Sequence, residues 1–264
     1  MLVTLLGVGF FIPDALVVRL IGTDTMTIAV WRGLAAGVAT LGWLVLFQRH
    51  HLPTWRELVS PASLAMIVLQ GVGSVFFLAS LGATSAANAL LILATAPFLA
   101  ALLSWAVLGE RIGRDTALAI VGVFAGVGII AAGSGGAGRM FGDLMAMANA
   151  VTIAGYYVVL RQAKAQNLLA AIALGYLLTS AIALPFAPMT PLDARQIMLI
   201  ILSGAVILAG GAALLMIGPR YLPAAEVSMI TMLEVVLGQL LVWAVILIAI
   251  LVHTAQRLRA PETA

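Results

Sequence analysis

The chain is a succession of apolar runs of about twenty residues, joined by connections as short as GPRYLP (218–223). A helix crosses the hydrocarbon core of a bilayer in ~20 apolar residues, so each run is long enough to span. Composition closes the soluble alternative. Charged residues are 9% of the 264 and hydrophobic ones 63%, whereas a soluble domain carries roughly 25% charge. Such a chain has too little polar surface to cover itself. A β-barrel would show alternation over about ten residues, and these runs are continuous. The expectation is an all-α polytopic membrane protein.

The spans are expected at 2–21, 26–47, 62–82, 85–108, 115–133, 141–161, 168–187, 196–217 and 223–253. With the 48–60 connection on the inner side, alternation places Arg49, Arg56, Arg111, Arg114, Arg161, Lys164, Arg220, Arg257 and Arg259 inside. Arg139 and Arg195 fall in outer loops, with Arg19 and Arg32 near the outer ends of the first two spans. This bias predicts a cytoplasmic N-terminus. It also accounts for the net charge of +3 without nucleic acid. Cysteine is absent, which excludes disulfides and thiolate chemistry. The start of the chain has no basic segment and no cleavage site, so no signal peptide is expected.

Residues 224–253 form one apolar block, too long for an ordinary span and too short for two. Setting Trp105 against Trp243, a shift of 138 residues (243 − 105), aligns SAANALLILATAPFLAALLSWAV (85–107) with PAAEVSMITMLEVVLGQLLVWAV (223–245). A weaker match sets ALVVRL (15–20) against YYVVLR (156–161). The chain thus divides into related halves, 1–138 and 139–264. Five helices in the first half would bring the second in from the opposite side, an inverted repeat of the kind secondary transporters use.

PFLAALLSWAVLGERIG (97–113) resembles the end of the fourth helix in EamA-type members of the drug/metabolite transporter superfamily, where a proline-bearing helix ends in a Leu-Gly-Glu turn. TMLEVVLGQLLVWA (231–244) resembles its counterpart in the second half. IPDALVVRL with TIAVWRGLAAG resembles the first two helices, and AVTIAGYYVVLRQA the sixth. Within that superfamily the chain is most similar to YddG-like amino-acid and metabolite exporters. The resemblance implies about ten helices in two inverted repeats, nine of them clear here and the tenth truncated. It implies a small-molecule substrate, a bacterial inner membrane and no cofactor. Two departures stand out. Val235 occupies the usual proline position, and the second Gly-Glu turn is missing, with most of a tenth helix.

Polar residues inside the spans are the candidate substrate contacts: Gln70, Asn88, Thr95, Asn149, Tyr156, Glu226 and Glu234. Asn149 and Tyr156 are seven apart and share a helix face, as do Asn88 and Thr95. Glu226 aligns with Asn88 across the repeat, whereas Glu234 aligns with Ala96 and belongs to one half only. An intramembrane carboxylate is costly and by default marks a cavity. Each of these residues has a bland reading beside the functional one, a hydrogen bond between helices or a helix cap. Pro13 and Asp14 are candidate gating residues, because proline removes a backbone donor and loosens the first helix. The alternative is a structural pair of Asp14 with Arg19.

Trp105 and Trp243 read as interfacial anchors. The pairs Gly33/Gly37 and Gly122/Gly126 read as close helix contacts within the monomer, with a dimer face as the weaker reading. GSGGAG (133–138) follows no strand and is no dinucleotide site, and His50 and His51 lack any ligand partner at metal spacing.

Transport of a small organic metabolite is the leading function, with protons as the candidate coupling ion and a monomer or weak homodimer as the assembly. An intramembrane enzyme lacks its motifs here, and a passive channel or a membrane-structural subunit fits the repeat less well. Residues 244–250 are expected to mark a deletion or a break in the sequence. Intact-mass measurement of the expressed protein decides between them: 27.4 kDa would make the short form real.

Overall fold

The computed structural model describes residues 2–49, 52–133, 137–216, 222–223, 225–231, 233, 234, 237, 238, 240 and 241. Among them every regular element is helical. In chain order these are α1 (Leu2–Phe11), α2 (Asp14–Ile21), α3 (Thr25–Phe47), the short α4 (Trp55–Leu58), α5 (Pro61–Ala83), α6 (Ala86–Leu93), α7 (Ala96–Leu108) and α8 (Arg114–Gly133). Then come α9 (Ala137–Gln162), α10 (Leu169–Ala183), α11 (Ala194–Ile201), a π-helical segment (Leu202–Leu208) and α12 (Ala209–Leu215). The described residues of 225–231, 233, 234, 237, 238, 240 and 241 are helical as well. Seven stretches among the described residues are long and apolar enough to cross a membrane. Many outward side chains are large and apolar, among them Trp43, Phe47, Leu118 and Ile129, a surface that suits lipid rather than water. The chain is an integral membrane protein.

Four of the seven stretches are not continuous α-helix; one of them, Leu169–Phe186, simply ends in a 3-10 turn at Leu184–Phe186. The first breaks at residues 12–13, where Pro13 opens α2. The span expected at 85–108 breaks at Ala94–Thr95, with Pro97 in the first turn of α7 supplying no backbone N–H. The last, Ala194–Leu215, contains the π segment. The 48–60 connection, read as a plain loop, holds α4, which Thr54 and Glu57 start with a reciprocal capping box. Further starts follow the sequence. Asp24 accepts from the N–H groups of Met26 and Thr27, Ser60 caps α5, Ser85 caps α6, and Asp193 with Gln196 boxes α11. Each such cap is worth about 1 kcal/mol.

The Leu-Gly-Glu turn has a clear physical basis. Gly109 ends α7 with φ of +69°, a conformation glycine adopts without a Cβ clash. Glu110 beyond it accepts from Arg161 Nε at the end of α9, 3.4 Å away.

The core sits where α5 packs against α9 and α10, and α3 against α10 and the π segment. These contacts all join residues before 138 to residues after it, so the two halves interleave. Small residues set their spacing. A Cβ at Gly33 would lie 2.6 Å from Ser180 Oγ and 2.7 Å from the Tyr176 carbonyl oxygen, and one at Gly37 would lie 2.6 Å from Leu177. The expected close contact at this pair is therefore between α3 and α10, within the monomer. Gly122 and Gly126 differ from expectation: no described atom comes within 4 Å of their added Cβ. They lie on α8, whose outward leucines and isoleucines are exposed. Trp243, the 244–250 stretch, His50, His51 and residues 134–136 of the glycine run lie outside the described residues.

Replacing Gly33 by valine is expected to destabilise the folded protein by roughly 1–3 kcal/mol through overpacking. The same change at Gly122 should cost under about 0.5 kcal/mol, as at an open surface. Thermal unfolding of both variants in detergent, read as loss of the monodisperse species, checks the contrast.

Candidate functional site

A cavity of about 200 Å³ lies where these helices converge. It takes lining residues from α1, α2, α3, α5, α6, α9, α10, the π segment, α12 and the helical residues of 225–241. Most of the wall is apolar, with Phe11, Leu69, Phe77, Leu93 and Ile153 among its members. A small number of polar groups interrupt it, the usual composition of a small-molecule site.

On α5, Gln70 Nε2 donates to Ser74 Oγ at 3.0 Å, one turn on. On α9, Asn149 Oδ1 accepts from Thr152 Oγ1 at 3.3 Å, and Tyr156 and Tyr157 meet edge to face with ring centroids 5.4 Å apart. Tyr176 of α10 donates to the Leu208 carbonyl at 3.4 Å, the last residue of the π segment. Glu234 and Thr231 close the wall from the final helical stretch.

Two opposite charges complete the lining. Arg32 of α3 and Asp14 of α2 are each 7% exposed, and Arg32 Nη2 donates to Asp14 Oδ2. The other carboxylate oxygen, Oδ1, accepts from Ser203 Oγ of the π segment at 2.7 Å. One carboxylate thus ties α2, α3 and a helix of the other half together. Among the described residues no group of three His, Cys, Asp or Glu side chains is placed to hold a metal ion.

The geometry sorts the sequence candidates. Gln70, Asn149, Tyr156 and Glu234 line the cavity, and so does Asp14. Asn88 does not. It occupies the first turn of α6, where its backbone N–H donates to Ser85 Oγ. Thr95 is buried at the α6–α7 break and donates to the Ile92 carbonyl at 2.7 Å. The break between Asn88 and Thr95 removes the continuous helix on which a shared face would depend. Glu226 is exposed near the start of its helix, away from the cavity. Asp14 pairs with Arg32 rather than with Arg19, which is exposed; a spacing of five does not bring helix side chains together. Trp105 is exposed at the end of α7.

Sequence reading missed Arg32, which it counted only as a charge near a span end. It also missed Ser203, Tyr157, Tyr176 and Thr231. For Arg32 a signal existed: it lies in an apolar run, as Asp14 does, and buried charges of opposite sign pair.

Residues 3–132 match the model of the EamA-like transporter family. That stretch, just under half of the chain, is similar to an EamA-like domain. No curated protein matches the chain. A solved crystal structure superposes with a TM-score of 0.69 at 17% identity, covering 92% of this chain and 87% of that one. At that identity the likeness is one of fold, and it extends well past the EamA-like domain into the second half. The match is to a family of transporters.

The Asp14–Arg32–Ser203 cluster makes an energetic prediction. Asp14→Ala, which strands the buried guanidinium, should cost roughly 3–5 kcal/mol. Ser203→Ala removes one bond to a charged acceptor and should cost about 1.5–3 kcal/mol. Asp14→Asn with Arg32→Gln should recover much of the single-mutant loss. Thermal unfolding of the purified variants in detergent measures all three.

Proposed function

We propose that the chain is a secondary transporter that exports small organic metabolites, amino acids or related compounds, by alternating access. The observation that carries this reading is a cavity at the junction of helices from both sides of residue 138. Its size and apolar wall suit a small metabolite. Its polar groups include both signs of charge, which favours zwitterions over multiply charged anions. Irregular helices border it on two sides, at Pro13 and at the π segment. Broken helices at a central site are how inverted-repeat transporters build their binding pockets. In this reading the segments 1–138 and 139–264 are repeats, and spans 85–108 and 223–245 are related by a two-fold axis in the membrane plane. The break at Pro13 and Asp14 acts in gating. The protein works in a bacterial inner membrane with its N-terminus in the cytoplasm, as a monomer or weak homodimer.

Glu234 is the proposed proton-linked group. It occurs in one half only, and a neutral carboxylic acid can donate a hydrogen bond to a solute where a carboxylate would instead pair with a cation.

Efflux from proteoliposomes loaded with a panel of amino acids and neutral metabolites, with and without a pH gradient, tests the transport. Gln70→Ala, Asn149→Ala and Tyr156→Ala should each lower efflux by roughly 3–10-fold, the loss of one polar contact. Asn88→Ala and Glu226→Ala should change it little. Glu234→Gln should abolish the dependence of efflux on pH between roughly pH 5 and pH 8 while leaving the fold intact. Wild-type efflux that is flat over that range would remove Glu234 from proton coupling.

A further inference from the structure

The Asp14–Arg32 pair is satisfied at one end only. Asp14 uses both oxygens, one for Arg32 and one for Ser203. Arg32 offers five N–H donors. Its Nε is buried, and among the described residues it has no acceptor. A purely structural tie in hydrocarbon would be expected to close both ends, because a buried donor without a partner is destabilising. The carboxylate that could have filled the Nε position has its second oxygen engaged by Ser203, a residue 189 positions away.

The surroundings say what is missing. Arg32 lines the cavity, together with Glu234, which lies within electrostatic reach of both Arg32 and Asp14. The cavity wall therefore carries one cation and two acids. Its remaining polar groups are neutral: amides, hydroxyls and three tyrosines. Among the described lining residues, an anionic group entering the cavity finds one cationic side chain to receive it, whose buried Nε–H would turn toward the solute to donate.

We propose that Arg32 is the subsite for a carboxylate carried by the transported solute, with Asp14 and Ser203 holding its guanidinium in place. The assignment rests on the transport reading above and narrows it to solutes with a single carboxylate and an apolar or aromatic body. A guanidinium already half-neutralised by Asp14 suits one carboxylate better than a phosphate or a dicarboxylate. An ammonium on the same solute has Glu234 as its counter-charge whenever that proton-linked group is in its deprotonated form. Zwitterions satisfy both ends at once.

The test measures binding on the purified full chain in detergent, by isothermal titration, so that it does not depend on transport. The probes are matched pairs differing only at the carboxylate: leucine and leucinamide, phenylalanine and phenylalaninamide, hexanoate and hexanamide. The wild type should bind at least one acid about 10-fold or more tighter than its amide, the scale of a charge-assisted bond. Arg32→Lys keeps the positive charge opposite Asp14 but lacks the guanidinium's Nε–H fork. It should shrink the acid-to-amide ratio to about 3-fold or less, through weaker acid binding. The double variant Asp14→Asn, Arg32→Gln removes the cation without stranding a charge, and should bring the acid-to-amide ratio to about 1. Because this variant keeps the site neutral and hydrogen-bonded, it covers the case in which Arg32→Lys fails to fold.

A wild type that binds acids and amides alike, or binds no carboxylate probe, overturns the proposal. So does a preference for acids that survives in the double variant. The two readings fail separately. Efflux of neutral or cationic solutes without carboxylate binding leaves transport standing and removes the Arg32 assignment. Arg32-dependent carboxylate binding without efflux of any carboxylate does the reverse.

Discussion

Hydrocarbon offers no partner to a backbone N–H, a hydroxyl or a guanidinium, so polar groups in the spans have to be met from within; among the described residues the buried side-chain exceptions are Arg32 Nε and four hydroxyls. That demand explains why the structure is helical wherever it is described, and why each departure from α-helix occurs where another helix or a cavity is at hand. Ser203 supplies a donor from the π segment to Asp14. Thr95 closes on the Ile92 carbonyl at the α6–α7 break. Ser180 donates to the Val30 carbonyl across the α3–α10 contact. Lipid also removes the usual hydrophobic drive between helices, so close packing has to supply the association instead. The glycines of α3 and α5 let backbones approach until neighbouring side chains and carbonyls touch them.

The cavity follows from the same packing. Where Gly71 and Gly73 draw α5 onto α10 and α9, the helices touch; beside that contact, the larger side chains of α5 and α9 face each other across a space. Gln70, Asn149 and the tyrosines sit at this edge. The charged pair is placed on the far side, on α2 and α3. A solute in the cavity would therefore touch helices from both halves. Relative motion of those halves would then be felt at the site, which is what alternating access needs.

Much of this was legible in the sequence. Apolar run length located seven of the nine expected spans, those at 115–133 and 223–253 not being among the seven, and the i, i+7 spacing put Asn149 and Tyr156 on one cavity-lining face. The Gly33/Gly37 pair announced a close contact, and Pro13 a break. The same rules gave less at other positions. Asn88 and Thr95 obey the seven-residue spacing, but Pro97 follows a break between them, and the spacing rule presumes an uninterrupted helix. Gly122 and Gly126 have the same pattern as Gly33 and Gly37 with open space beside them, because a small-residue stripe does not specify its partner. Arg32 was visible as a charge yet not as a cavity residue, since its meaning depends on Asp14 and Ser203, and on a fold that brings them together. The π segment has no sequence signature at all: LSGAVIL reads as ordinary helix, and only its hydrogen bonds distinguish it.

The interleaving of the halves bears on how the protein is made. Arg32 follows Asp14 by 18 residues, so the two charges leave the ribosome almost together and can enter the bilayer as a neutral pair. Ser203 emerges 189 residues after Asp14, which at roughly 5–20 residues per second is a delay of about 10–40 s. For most of that interval the glycine faces of α3 and α5 have no α10 to receive them, and throughout it one oxygen of Asp14 lacks its final donor. The EamA-like half is thus inserted before it is complete. For that time its stability rests on lipid, on the membrane insertion machinery and on the early Asp14–Arg32 pair.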